Sequence, residues 1–336
     1  MNDPIWAWTT APWTLRYDTL LGVALLMVAA SLLGDLVWRW LRWPRLMGYG
    51  IVGTLLAFFG RGVGGDEPAL RLAIDVALGL LLFEAGARLN LRWLARNPWL
   101  LATSLAEAFL TALVVVLAAG MLGVPGVVAA PFALIMMSVS PAIVQRVAAE
   151  CDAAGQVTER LMALSALNTL YAVLALKLLS AGMALSDPST WLRALPPVLF
   201  TFVGSVLLGG LLGSLLALIA RRLDLRSDNA VVLLISCVLL ALVAAKTLHL
   251  STLLVPLLAG IWLRNRHDRP WVWQRHFGSL GSVLLLVLFV AVASSWTFAS
   301  LAQAGMVALA LLLLRWGVKA GSVLALARPS GLAWRQ

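Results

Sequence analysis

Among the charged residues inside long apolar stretches of this sequence, six are candidates for a function: Asp75, Glu84, Glu107, Lys177, Arg315 and Lys319. A charge in the middle of a hydrocarbon layer costs roughly 2.5–3.5 kcal/mol, so each needs a partner or a task. Glu84 stands four residues before Arg88, the spacing of a local helical ion pair. Asp75, nine residues earlier, lies at another depth. Lys177 lies toward one end of its stretch and can extend its ammonium to the surface. Glu107 and Arg315 are different. Each sits ten to thirteen residues into its stretch, about 15–20 Å deep at 1.5 Å per helical residue. Neither has an opposite charge one turn away, and Arg315 has the like charge Lys319 at i+4. A carboxylate from another helix is the natural remedy for a buried guanidinium. Spacing alone does not say whether Glu107 supplies it.

Uncharged polar residues add a second group. MMSVSPAIVQRV (136–147) places Ser138 and Ser140 directly before Pro141 in the middle of an apolar stretch. Proline removes a backbone donor and clashes with the preceding turn, so a broken helix is expected there. Irregular backbone at membrane depth is tolerated where it lines a cavity or is packed in protein. SALNTLYAVLAL (165–176) puts Asn168 and Thr169 in mid-stretch, where they can act as ligands or as glue between helices. Groups of this kind suit ion binding or proton transfer. They do not suit enzymatic chemistry, since no nucleophile–base set, phosphate loop or metal cluster is present. His249, His267 and His276 fall at or near helix ends or in a loop, and Cys151 and Cys237 lack metal-ligand neighbours. No cofactor or metal is expected.

The elements that must position these residues are membrane helices. Apolar residues make up 62% of the 336 positions and charged ones only 12%, far from any soluble domain of this length. A bilayer core of ~30 Å takes roughly 20 helical residues. Eleven apolar runs of that order fall at about 19–38, 45–60, 70–89, 98–122, 126–147, 158–182, 191–220, 229–247, 249–264, 277–297 and 299–327. The first lacks a basic leader and is long enough to span, so it reads as an uncleaved helix. With the N-terminus outside, the loops on the cytoplasmic side hold about 17 cations and the opposite loops about 5. That bias sets an N-out, C-in topology. It also accounts for the net charge of +10 without any nucleic acid. Trp38, Trp40, Trp43, Trp93, Trp99, Trp191, Trp271, Trp273 and Trp296 lie near run ends, where an aromatic belt belongs.

The sequence repeats itself. PRLMGYGIVGTLL (44–56) can be laid over STLLVPLLAGIWL (251–263), which sets Gly53 on Gly260. LGLLLFEAGARL (78–89) lies over GSVLLLVLFVAVA (281–293), pairing Phe83 with Phe289, so the offset stays at about 207 and 206. Pairing the second run with the ninth would invert one copy in the membrane, as in secondary transporters with a site at the repeat interface. Apolar runs align easily by chance, so the register alone leaves the repeat open.

Taken in order, these stretches resemble the cation/proton antiporter superfamily, the sodium/proton exchanger-like membrane domain. WPRLMGYGIVGTLLAFFG resembles that family's second helix and LGLLLFEAGARLNLRWLARN its third. SVSPAIVQRV resembles the broken helix that usually reads TDP, LNTLYAVLAL the helix that reads ND, and HLSTLLVPLLAGIWLRN a later glycine-containing helix. The likeness covers roughly residues 19–330. It implies a thirteen-helix fold with an inverted repeat, working as a homodimer that exchanges sodium or potassium against protons by elevator-like movement of a core. In this chain the dimerisation side would be 1–97 and 227–298, the linker 183–226, and the core 98–182 with 299–336. The bacterial inner membrane is the implied location. The resemblance also brings Glu107 and Arg315 together beside Asn168, and a direct carboxylate–guanidinium contact is expected. The expected ion path is Glu107, Ser138, Ser140, Pro141, Asn168, Thr169, Arg315 and Lys319.

Two departures weaken that function. Thr169 stands where the family's ion-carrying aspartate follows the asparagine, and Ser140 stands for the aspartate of TDP. A hydroxyl neither titrates near neutral pH nor compensates a bare cation. The chain also stops at GLAWRQ, where the family continues into its last two core helices. The implied all-α fold is therefore short of two helices, which another chain would have to supply. A degenerate transporter, or a non-transporting membrane subunit that keeps the fold, are the two readings that remain.

Overall fold

A computed structural model describes residues 19–58, 68–183, 195–222, 228–266, 275–296 and 298–327. The described residues outside turns are helical: α1 (Thr19–Leu41), α2 (Arg45–Phe58), α3 (Pro68–Arg88), α4 (Leu91–Ala95), α5 (Pro98–Met121), α6 (Gly126–Met137), α7 (Pro141–Glu150), α8 (Gln156–Met183), α9 (Leu195–Arg222), α10 (Asp228–Thr247), α11 (Leu254–Arg266), α12 (Arg275–Ser294) and α13 (Phe298–Ala327). Among the described residues, six segments are long and apolar enough to cross a bilayer, the α6–α7 stretch Gly126–Glu150 being one of them. Outward-facing Phe200, Leu207 and Leu211 on α9 are exposed, as lipid-facing residues must be. This is an all-α integral membrane protein. The sequence positions of Trp191, Trp271, Trp273 and His267 lie outside the described residues, as do Arg16, Arg61, Arg193, Arg226, Arg269, Arg328 and Arg335 from the loop-charge argument.

The apolar runs did not include the five-residue α4. It forms because the Asn90 side chain accepts from the backbone N–H groups of Arg92 and Trp93, at 3.0 and 3.1 Å. This is ordinary N-cap chemistry. The chain turns at once into α5, whose first residue is Pro98.

The helices sort into two compact units. The smaller holds α1, α2 and residues 289–296; the larger holds α3 to α11, the earlier part of α12, and α13. In the larger unit α3 and α11 are central. Leu80 and Phe83 pack with Val238, Leu242, Val255 and Leu263, while Leu82 and Leu89 pack with Leu164, Leu167, Leu257 and Ile261. α3 and α11 approach so closely at Gly86 and Gly260 that a side chain would fit at neither. A Cβ on Gly260 would lie 2.1 Å from the Phe83 carbonyl oxygen, and one on Gly86 would lie 2.1 Å from that of Leu257.

The smaller unit makes the equivalent contact. A Cβ on Gly53 would lie 2.6 Å from the Ala293 Cβ and 2.8 Å from the Val290 carbonyl oxygen. Gly53 corresponds to Gly260 in the repeat alignment, and the 289–293 segment corresponds to 83–87. Each copy's glycine helix thus packs on the following helix of the other copy. A chance register between apolar runs gives no reason for the same crossing to occur twice.

Candidate functional site

The site is built on the interruption between α6 and α7. Ser138 (φ −75°, ψ 152°) and Ser140 (φ −68°, ψ 115°) are extended, and Pro141 opens α7. A residue before proline is pushed out of the helical region by the pyrrolidine ring, and proline is well suited to the first position of the next helix. The Ser140 hydroxyl caps nothing and the residue is exposed; that of Ser138 donates to the Ile135 carbonyl at 2.8 Å.

A helix that stops at membrane depth leaves its last carbonyls without intrahelical partners. Here four successive carbonyls at the end of α6 are each met from another helix. Arg315 on α13 donates through Nε to Met136 at 2.6 Å and through Nη2 to Ser138 at 2.8 Å. Lys319, one turn later, donates to Met137 at 2.9 Å. Thr169 on α8 shares its single hydroxyl proton between Val139 at 3.3 Å and Ser165 of its own helix at 3.0 Å. Two cations at a helix C-terminus also oppose the negative end of its dipole.

The Lys319 ammonium also meets Glu107 Oε1 on α5 in an ion pair, with both side chains largely buried. The other carboxylate oxygen, Oε2, accepts from Asn168 Nδ2 at 3.0 Å. Ser104 donates to Asn168 Oδ1 at 3.1 Å, so both ends of the amide are used and its orientation is set. Thr111 donates to the Glu107 backbone carbonyl at 2.7 Å. Ser104, Glu107 and Thr111 are spaced i, i+3, i+7, a polar stripe on α5 that sequence reasoning passed over although its period was visible.

Glu107, Ser138, Asn168, Thr169, Arg315 and Lys319 therefore share one connected network, while Ser140 and Pro141 shape the break without joining it. The expected Glu107–Arg315 contact does not form. The planar guanidinium fork reaches two carbonyls of the α6 end, and the compact ammonium one turn along takes the carboxylate with one carbonyl. Arg315 and Lys319 stand on the same helical face, and that division of labour relieves their like charges.

Two of the remaining membrane charges, Glu84 and Asp75, are paired elsewhere. Glu84 accepts from Arg88 at 3.2 Å, and Gln145 on α7 bonds to the same Glu84 oxygen. Asp75 pairs with Lys246 on α10, a half-exposed bridge that neither residue's own helix announces. Lys177 is exposed. Among the described residues no group of three His, Cys, Asp or Glu side chains could hold a metal.

The chain is thus an all-α membrane protein with a helix interrupted at Ser138–Ser140 and a buried carboxylate and two cations gathered at the break. Residues 24–336 match the family model for the transmembrane part of sodium/hydrogen exchangers, and the chain belongs to that family. In fold it is similar to the sodium proton antiporter MjNhaP1 from Methanocaldococcus jannaschii at pH 8, with a TM-score of 0.73 and 16% identity over 94% of this chain and 80% of that one. A second structure of MjNhaP1, from an electron-microscopy map, gives a TM-score of 0.71 and 17% identity with the same coverage. No curated protein matches the sequence.

Proposed function

We propose that this chain is a cation/proton antiporter-type membrane transporter in which Glu107 does the work that the family resemblance assigns to an aspartate at Thr169. The observation that carries this reading is the Lys319–Glu107 pair, held by Asn168 beside the broken helix. A sodium or potassium ion needs a charged oxygen and several neutral ones. Glu107 offers the first, and the Thr169 hydroxyl and the carbonyls of Met137 and Val139 are neutral oxygens at the same break. To bind there the ion must displace Lys319. An ammonium stranded without its carboxylate in an apolar surround is strongly disfavoured, so cation entry and proton departure are linked through one pair.

The same reading has eleven crossings with the N-terminus outside and the C-terminus inside, and a homodimer in a bacterial plasma membrane. It sets dimerisation helices in 1–97 and 227–298 against a core of 98–182 and 299–336, with 183–226 as the link. A second reading is supported by the closure of the site. Both Glu107 oxygens are occupied, and Thr169 and Ser140 bring no charge, which suits a membrane subunit that keeps the fold without moving ions.

Reconstitution into proteoliposomes with a trapped pH-sensitive dye separates the two. Pulses of sodium or potassium that alkalinise or acidify the lumen, abolished in Glu107→Gln, support exchange through this pair. Monodisperse, folded protein that gives no flux with either cation supports the non-transporting subunit instead.

A further inference from the structure

A polar cavity of about 350 Å³ lies where the end of α3, the start of α8 and the end of α11 come together with α4. Its polar lining is Arg88, Asn90, Trp93, Gln156, Glu159 and Arg264. The wall is held firmly. Asn265 Nδ2 donates to the Leu89 and Ile261 carbonyls at 3.0 and 2.7 Å, and its Oδ1 accepts the Leu91 N–H at 2.9 Å. That side chain ties the α3–α4 turn to α11. Asn90 Oδ1 is committed to capping α4, which leaves its amide nitrogen as the free end.

The free groups are mostly donors. Arg264, Trp93 and Gln156 have no side-chain hydrogen-bond or ion-pair partner among the described residues, and Arg88 uses only one of its N–H groups, on Glu84. Two guanidinium groups, an indole N–H and the Asn90 amide nitrogen therefore line one space; the Gln156 amide can donate or accept, and the one anionic acceptor in the lining is the exposed carboxylate of Glu159 at the first turn of α8. The bias that puts arginines at this end of the helices accounts for the charge of Arg264. It does not account for neutral donors lining the same half-open cavity. Arginine forks match phosphate oxygens, and charge-assisted bonds of this kind are the strong ones.

We propose that this cavity binds a phosphate group carrying a primary ammonium, the chemistry of phosphoethanolamine. Arg264, Arg88 and the Trp93 indole hold the phosphate, and Glu159 holds the ammonium. The site is separate from Glu107 and does not depend on transport. The same headgroup chemistry can come from a membrane lipid or from a soluble phosphoethanolamine.

Native mass spectrometry of the full chain in detergent, with added phosphatidylethanolamine or phosphatidylglycerol, tests it. The expected result is retention of phosphatidylethanolamine at least about tenfold above phosphatidylglycerol, a difference of about 1.4 kcal/mol. Arg264→Gln should lower retention of both lipids. Glu159→Gln, at an exposed position that leaves the fold intact, should make the two lipids equal. Displacement by soluble phosphoethanolamine at millimolar concentration identifies a soluble source; retention of the lipid in its presence identifies the membrane. Equal retention of the two lipids by the unmodified chain, or a preference unchanged in Glu159→Gln, overturns the proposal.

Discussion

Lys319 on α13 and Glu107 on α5 form an ion pair in which the lysine side chain is 13% exposed and the glutamate side chain 4%. Such a pair is worth little against two well-packed apolar residues, yet breaking it on one side strands a charge. Its energetic signature is therefore an asymmetry between single and double substitutions. Glu107→Gln and Lys319→Met should each destabilise the protein by about 3–5 kcal/mol, while the double variant should recover most of that loss. Thermal unfolding in detergent measures all three. Additive losses would mean the two side chains are not coupled.

Arg315 makes a separate contribution, because it satisfies carbonyls and not the carboxylate. Arg315→Leu leaves the Met136 and Ser138 carbonyls without donors, at about 1–3 kcal/mol for each. Arg315→Lys can reach one of them and should recover about half. Hydrogen–deuterium exchange of the 136–144 backbone should rise in the leucine variant and stay near the wild-type level around Glu107.

Gly260→Ala is expected to be far more damaging than its size suggests. The added methyl would sit 2.1 Å from the Phe83 carbonyl oxygen, and backbone cannot step aside cheaply. A loss above about 3 kcal/mol is expected, at or beyond the upper end of ordinary overpacking. Gly50→Ala, with nothing within 4 Å of the new Cβ, should be neutral or stabilising by up to about 1 kcal/mol from helix propensity. The yield of monodisperse protein and its unfolding temperature should rank the two in that order.

Placing at Thr169 the aspartate that the resemblance implies should not improve the site. Thr169 donates toward the Val139 carbonyl at the end of α6. An ionised carboxylate cannot donate, and it would face the negative end of the helix dipole. Thr169→Asp should therefore lower the unfolding temperature and leave cation-driven proton flux at or below that of the unmodified chain. A gain in saturable flux in proteoliposomes would show that the aspartate finds other partners.

Much of the site was legible beforehand, for reasons that particular residues make clear. Proline at 141 announces a break because its ring forbids the preceding residue a helical conformation, and the break falls at Ser138–Ser140. Glu84 and Arg88 pair as their i, i+4 spacing requires, because both lie on one helix. The repeat register places Gly53 on Gly260, and each glycine meets the other copy's following helix. The Asp75–Lys246 bridge, the Gln145–Glu84 bond and the use of Ser104 escaped notice, since each joins helices far apart in the chain.

By itself the sequence determined the membrane class, the family, the place of the helix break and the short set of buried polar side chains. These follow from local quantities: hydropathy summed over a helix length, the steric demand of proline, and 3.6-residue periodicity. Only the tertiary structure decided which cation takes the Glu107 carboxylate. Arg315 and Lys319 share one face of α13 and differ by a single turn, about 5.4 Å along the axis. No property of that helix alone says which turn lies level with Glu107 and which with the open carbonyls of α6. That depends on how α13 slides and rotates against α5 and α6, and the packing of the three helices sets it.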